Sequence, residues 1–145
     1  MLYLGIDQHA RQLTISLRDD SGDVLEARQV STRPEKIREF FAKLMRDGVR
    51  DGEGFIAVVE VCGFNDWLLR MLADYRCQKV ILIQPEERSR QKTDRRDAST
   101  LSELLWVNRA RFLAGKPVRG LRQVELPSTT DQENRRLTTL RKEAS

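Results

Sequence analysis

The stretch FIAVVEV, Phe55 to Val61, is apolar at every position except Glu60. A short, continuous apolar run of this kind is typical of a strand that is buried on both faces, as in the centre of a sheet covered by helices. We therefore predict a central strand here. Its glutamate needs an explanation, because an unpaired buried carboxylate is costly.

Other strands surround this one in the sequence. LYLGID (2–7), LTISLRD (13–19) and VLEARQV (24–30) alternate or are β-rich, and the turn sequence DDSGD separates the last two. This pattern predicts an antiparallel meander. KVILIQP (79–85) predicts a second buried strand, ended by Pro85.

Three helices are predicted between and after these strands. Thr32 and Glu35 form a capping-box pattern for a helix that ends near Asp47-Gly48. WLLRMLADY predicts a second helix capped by Asn65, and QKTDRRDASTLSELL (91–105) predicts a third that opens after Thr93. The resulting β-β-β-α-β-α-β-α order predicts an α/β fold, a mixed five-stranded sheet with helices on both faces.

The 145 residues and their 39% hydrophobic content indicate one soluble globular domain. No apolar run is long enough to span a membrane, so a cytoplasmic location without membrane partners is expected. Cys62 and Cys77 fit no metal-binding spacing and are predicted to be buried thiols.

Residues 1–87 contain 12 Lys/Arg and 15 Asp/Glu, whereas 88–145 contain 14 and 7. Residues 88–145 are therefore expected to bind a polyanion, unless they simply form a solvated basic surface.

The chain is divided by pattern into three parts. Residues 1–114 contain all the predicted strands and helices. Residues 115–130 contain Gly, Pro and Ser-Thr-Thr, which are typical of a linker. Residues 131–145 are helix-friendly but too short and too polar to be stable alone, so they are interpreted as the start of a helical or coiled-coil region.

Four acids occupy positions that matter for chemistry. Asp7 and Glu60 end two strands predicted to be neighbours, and Asp94 and Asp97 share a helix face with Leu101 and Leu105. We expect all four to converge at one rim of the sheet, where hard divalent cations would neutralise them. A pair of Mg²⁺ ions about 3.5–4 Å apart suits displacement at phosphorus.

Structural explanations stay open for the acids: a turn for Asp7, the helix dipole for Asp94 and an ion pair with arginine for Asp97. Such an explanation is weakest for Glu60, because an unpaired buried carboxylate is costly.

The segments GIDQH, VEVCG and KTDRRDA resemble those of the DEDD transposases of insertion-sequence family 110, which include the Piv-type invertases. The resemblance spans roughly residues 3–113. It implies a ribonuclease H-like fold of the RuvC-like branch. The family's four acids fall on Asp7, Glu60, Asp94 and Asp97, as catalytic residues and metal ligands.

That family implies Mg²⁺ or Mn²⁺ as cofactor, with two ions, and DNA as partner. Some members use a guide RNA, and the full-length protein is implied to be a homo-oligomer. A second domain with a reactive serine follows in the family, so we expect this chain to be the incomplete N-terminal catalytic domain of a recombinase that cleaves and exchanges DNA strands.

Cations flank the acids, and their predicted role is contact with nucleic-acid phosphates. They are Arg88, Arg90, Lys92, Arg95 and Arg96. His9 is interpreted as a loop or surface residue, with a general-base role as the alternative, and Trp67 and Trp106 as packing residues.

Two rival functions use the same residues. A stand-alone Holliday-junction-type nuclease would act through the four acids alone, and a non-catalytic nucleic-acid-binding module would be indifferent to metal. Sugar-kinase and actin-like ATPases begin with a similar strand but need a phosphate loop, and His9–Gln12 offers none.

Overall fold

The computed structural model describes residues 1–9, 11–51, 54–60, 66–83, 97–118 and 122–124. Its strands are β1 (Leu2–Gln8), β2 (Gln12–Arg18), β3 (Val24–Ser31), β4 (Phe55–Glu60), β5 (Val80–Ile83) and β6 (Arg122–Val124). Its helices are α1 (Pro34–Asp51), α2 (Asp66–Asp74), α3 (Ala98–Val107) and α4 (Arg109–Leu113).

The strands form one mixed sheet in the order β3-β2-β1-β4-β5-β6. The first three strands are antiparallel, and β1, β4 and β5 run parallel to one another. All five predicted strands and the predicted element order are confirmed. The sheet also has a sixth strand, because β6 pairs antiparallel with β5 from within the segment interpreted as a linker.

Two apolar layers cover the two faces of the sheet. On one face, α1 and α2 bury side chains such as Phe41 and Leu68 against the strands. On the other face, Leu101 of α3 and Phe112 of α4 pack against Tyr3 and other strand residues. The predicted central strand β4 is buried at all six positions, which follows from its apolar sequence and from helices on both sides.

The start of α1 differs from the prediction. Thr32 lies one residue before the N-cap position of this helix, and its hydroxyl donates a 3.0 Å hydrogen bond to the carbonyl of Arg11. The helix instead begins at Pro34, with the carbonyl of Arg33 accepting from the N–H groups of Lys36 and Ile37. It also continues past Gly48 to Asp51.

Several single-residue expectations are settled by packing. Cys77 is buried, and burial raises the pKa of its thiol. Trp67 packs at the edge of the α1–α2 core, and Trp106 donates a hydrogen bond to the carbonyl of Asp20. Cys62 and Asn65 lie outside the described residues. Within the described ranges no helix combines the length and apolar character needed to cross a bilayer.

Candidate metal centre

Asp7 and Glu60 lie side by side in the sheet. They are register partners of the parallel β1–β4 pair, so their Cα atoms are separated by about 4.8 Å, the usual spacing between strands. Side chains alternate between faces along each strand, which places both carboxylates on the face covered by α3, together with Tyr3 and Val58. Asp7 is 8% exposed and Glu60 is 2% exposed. The expected proximity of these two acids is therefore observed.

Helix α3 runs antiparallel to β1, with its N-terminus toward this pair of acids. A Cβ built on Gly5 would lie 2.5 Å from the carbonyl oxygen of Ala98 and 2.5 Å from the backbone nitrogen of Ser102. At the other end of the helix, Trp106 touches Gly22 in the β2–β3 turn, beyond the N-terminal end of β1. The opening turn of α3 therefore lies over Gly5, and the N-terminus of the helix is directed toward the ends of β1 and β4.

Gly5 permits this arrangement. The helix backbone contacts the strand backbone where any other residue would place a side chain, and the axial distance from Gly5 to Asp7 is only about 7 Å. Sequence alone contained a signal for this feature, since a glycine inside a strand often marks the close approach of another backbone.

Asp97 is the N-cap of α3, which corrects its predicted position on the inward face of a longer helix. Its backbone is extended, with φ −76° and ψ 169°, and the helix begins at Ala98. One carboxylate oxygen, Oδ1, accepts a 2.7 Å hydrogen bond from the backbone N–H of Thr100. The residue is exposed. The apolar stripe itself is confirmed, because Ala98, Leu101 and Leu105 are buried.

Capping keeps the Asp97 carboxylate charged. Hydrogen bonds from the N–H of Thr100 and then from its hydroxyl lower the pKa of this side chain below its ordinary value of 3.8. The positive end of the α3 dipole acts in the same direction. An ionised carboxylate thus stands at the helix terminus that faces Asp7 and Glu60.

Replacing Asp97 separates its capping role from its charge. In metal-free buffer, Asp97→Ala is expected to lower the free energy of unfolding by about 1 kcal/mol, the usual loss for an N-cap. Asp97→Asn should lose only a few tenths, because asparagine caps as well as aspartate and loses only the dipole interaction. Chemical denaturation of the three proteins measures both changes. Equal losses in the two variants would show that charge, rather than capping, stabilises α3.

A polar network fastens α3 to the meander. The guanidinium of Arg18 donates to the hydroxyl of Ser102 at 2.8 Å and to the carbonyl of Gly22 at 2.8 Å. The Ser102 hydroxyl is in turn 3.0 Å from that of Ser16, and both serines are buried. The sequence does not indicate this network, because helical spacing predicts that Ser102 lies outside the apolar stripe of α3, whereas the structure buries it.

His9 contacts Asp7 of the Asp7–Glu60 pair directly. Its Nε2 atom lies 3.2 Å from Oδ2 of Asp7, and its side chain is 39% exposed. His9 is therefore a half-exposed residue, as interpreted from sequence, but it also orients the Asp7 carboxylate.

The remaining predicted site residues lie outside the described residues. These are Asp94 and the five cations Arg88, Arg90, Lys92, Arg95 and Arg96. Within the described ranges, no group of three or more His, Cys, Asp or Glu side chains is arranged to hold a metal ion. Of the predicted site residues that are described, the structure pairs Asp7 with Glu60 and places Asp97 at the N-terminus of α3.

Comparison with known protein families identifies the family of this chain. The family model of the DEDD transposases of insertion-sequence family 110, described as a transposase, matches residues 4–143. The chain belongs to this family. No curated protein matches the sequence at a significant level. The mixed sheet with helices on both faces is accordingly the ribonuclease H-like, RuvC-like fold of the DEDD transposases.

Membership fixes the general activity. A DEDD transposase acts in DNA recombination and binds DNA, and the family generally uses divalent metals. The donors in this chain are of the matching kind. The two adjacent buried carboxylates of Asp7 and Glu60 are oxygen ligands of the kind that Mg²⁺ and Mn²⁺ prefer. These two donors fit a divalent cation in kind, and the described residues group no third donor with them.

Proposed function

We propose that this chain is the catalytic domain of an insertion-sequence transposase and holds divalent metal through Asp7, Glu60, Asp94 and Asp97. The observation that supports this most strongly is the buried, register-matched pair Asp7 and Glu60 at the ends of two parallel strands. Two carboxylates at buried, adjacent positions repel each other when both are ionised, and a cation bound between them would offset that repulsion.

Each residue contributes a separate element of the site. Asp7 and Glu60 bind the cation from β1 and β4, and each of these strands is fixed by backbone pairing with a strand on either side. His9 holds Oδ2 of Asp7 in one orientation. Asp97 adds a charged carboxylate at the N-terminus of α3, and that terminus itself favours the binding of an anion.

The proposed reaction is cleavage and exchange of DNA strands. When bound, Mg²⁺ or Mn²⁺, as two ions, would supply Lewis-acid stabilisation of the phosphate oxygens. The carboxylates of the site fix the position of that chemistry at the rim. Arg88, Arg90, Lys92, Arg95 and Arg96 are proposed to contact the phosphate backbone. Such contacts make binding weaker as salt increases and largely independent of sequence.

Calorimetric titration of metal-free protein with Mn²⁺ tests the proposal. Asp7→Asn is expected to weaken Mn²⁺ binding by at least about tenfold, because even the loss of a residue that only supports a ligand has an effect of 10–100-fold. Asp74→Asn removes the same charge from the exposed end of α2 and serves as the matched control, with unchanged affinity. Melting curves without metal must show that both variants fold.

Two results would count against the metal site. Equal affinity in the wild type and Asp7→Asn would place the bound ion elsewhere. No binding at millimolar Mn²⁺, combined with salt-dependent binding to DNA, would favour a non-catalytic nucleic-acid-binding module.

A further inference from the structure

The outer edge of β3 is open within the described part of the chain. This strand is the first in the sheet order and pairs only with β2 there. It is eight residues long, and most of its positions are exposed. Val24 and Leu25 are 46% and 56% exposed, which is unusual for large apolar side chains at the start of an edge strand. Such an edge presents unpaired backbone groups that can pair with another strand.

The charges on this edge are arranged symmetrically about Ala27. Glu26 precedes it and Arg28 follows it, and side-chain alternation places both charges on the face covered by α1. If two copies of the strand pair antiparallel around a two-fold axis at Ala27, each Glu26 lies opposite the Arg28 of the other copy. Lysines or charges of one sign would instead repel a second copy, as they do on protected edges.

The interacting side chains are already held in place. Arg28 forms an ion pair with Glu26 of the same strand, and its guanidinium carbon lies 5.4 Å from the centre of the Phe40 ring. Lys43 of α1 approaches Glu26 at 4.0 Å. Because these contacts restrict the side chains before any partner arrives, pairing costs less conformational entropy than it would for free side chains.

We propose that β3 pairs with β3 of a second copy of this chain, in antiparallel register centred on Ala27, to join two sheets into one. Two eight-residue edges bury less area than a stable obligate interface, so the dimer is weak and forms with increasing concentration. This proposal is independent of metal binding.

Light scattering during size-exclusion chromatography tests the pairing, with the whole chain at about 10 µM to about 1 mM. The wild type is expected to shift from monomer to dimer over this range. Glu26→Arg and Arg28→Glu, each alone, place like charges opposite each other and should weaken dimerisation by at least about tenfold. Arg70→Glu makes the same charge change as Arg28→Glu on the exposed face of α2 and should leave the dimer unchanged.

Mixing the two variants gives the decisive measurement. An equimolar mixture of Glu26→Arg and Arg28→Glu pairs two cations with two anions, so a heterodimer should form although neither variant dimerises alone. Amide exchange should also slow in β3 as the wild-type concentration rises. A wild type that stays monomeric at the highest concentration overturns the proposal. So does a dimer that both charge reversals leave intact, since it would use another surface.

Discussion

Gly5→Ala is expected to lower the free energy of unfolding by about 3 kcal/mol, at the upper end of the range for overpacked cores. The added Cβ would meet two backbone atoms of α3 at 2.5 Å and the Cβ of Leu101 at 3.1 Å. Backbone atoms cannot rotate away, so the helix must move off β1. A loss of this size lowers the melting temperature by roughly 10 °C in a domain of this length.

Gly115→Ala is the matched control for this substitution. Gly115 has a φ of +73°, and the only atom that the described residues place near its Cβ position is Nζ of Lys79, at an ordinary contact distance of 4.0 Å, so alanine there costs only backbone strain, of about 1 kcal/mol. Gly5 needs no left-handed conformation, and its cost comes from crowding alone. The prediction fails if Gly5→Ala is as mild as Gly115→Ala. Amide exchange should also show faster opening of α3 in Gly5→Ala, while α1 and α2 keep their protection.

The strands of this fold were predictable because their hydrophobic patterns are strong. β1, β2, β3, β4 and β5 were all assigned from alternation or continuous apolar runs, and the neighbouring positions of β1 and β4 followed from the element order. Because these two strands are neighbours, Asp7 lies next to Glu60, as the element order predicts. β6 was not predictable, because it is three residues long and contains Arg122 and Gln123, so it forms only by pairing with β5.

The helix boundary near the site was predicted wrongly for a physical reason. Asp97 has the correct spacing to share a helix face with Leu101, and periodicity alone cannot distinguish a helical aspartate from one that caps the helix. The aspartate side chain competes for backbone N–H groups, and here it accepts from Thr100 in an extended conformation. At the start of α1 the relevant contact joins distant segments instead, because the Thr32 hydroxyl donates to the carbonyl of Arg11.

The contacts that hold α3 in place are also beyond local sequence. Arg18 and Ser102 are 84 positions apart, and no pattern near either one indicates that they meet. Their hydrogen bond helps to hold α3, and with it Asp97, in place. The arrangement of the candidate site thus depends on three kinds of information: strand pattern for the Asp7–Glu60 pair, a strand glycine for the approach of the helix, and long-range polar contacts for the orientation of the helix.

Glu60→Gln is expected to change the stability of the domain in opposite directions with and without metal. Without metal, it removes one of two adjacent buried negative charges and should raise the free energy of unfolding by an amount on the order of 1 kcal/mol. This is less than the roughly 4 kcal/mol of bare repulsion at 4 Å and a dielectric of 20, because the side chains can relax and His9 contacts Asp7.

With Mn²⁺ at about 100 times its dissociation constant, the wild type should gain about 2.7 kcal/mol and Glu60→Gln should gain little. The order of the two melting temperatures therefore inverts as Mn²⁺ is added. Glu103→Gln makes the same substitution at an exposed position of α3 and should follow the wild type in both conditions. If Glu60→Gln is destabilised without metal and still gains the full Mn²⁺ shift, Glu60 is a structural residue and does not hold the bound cation.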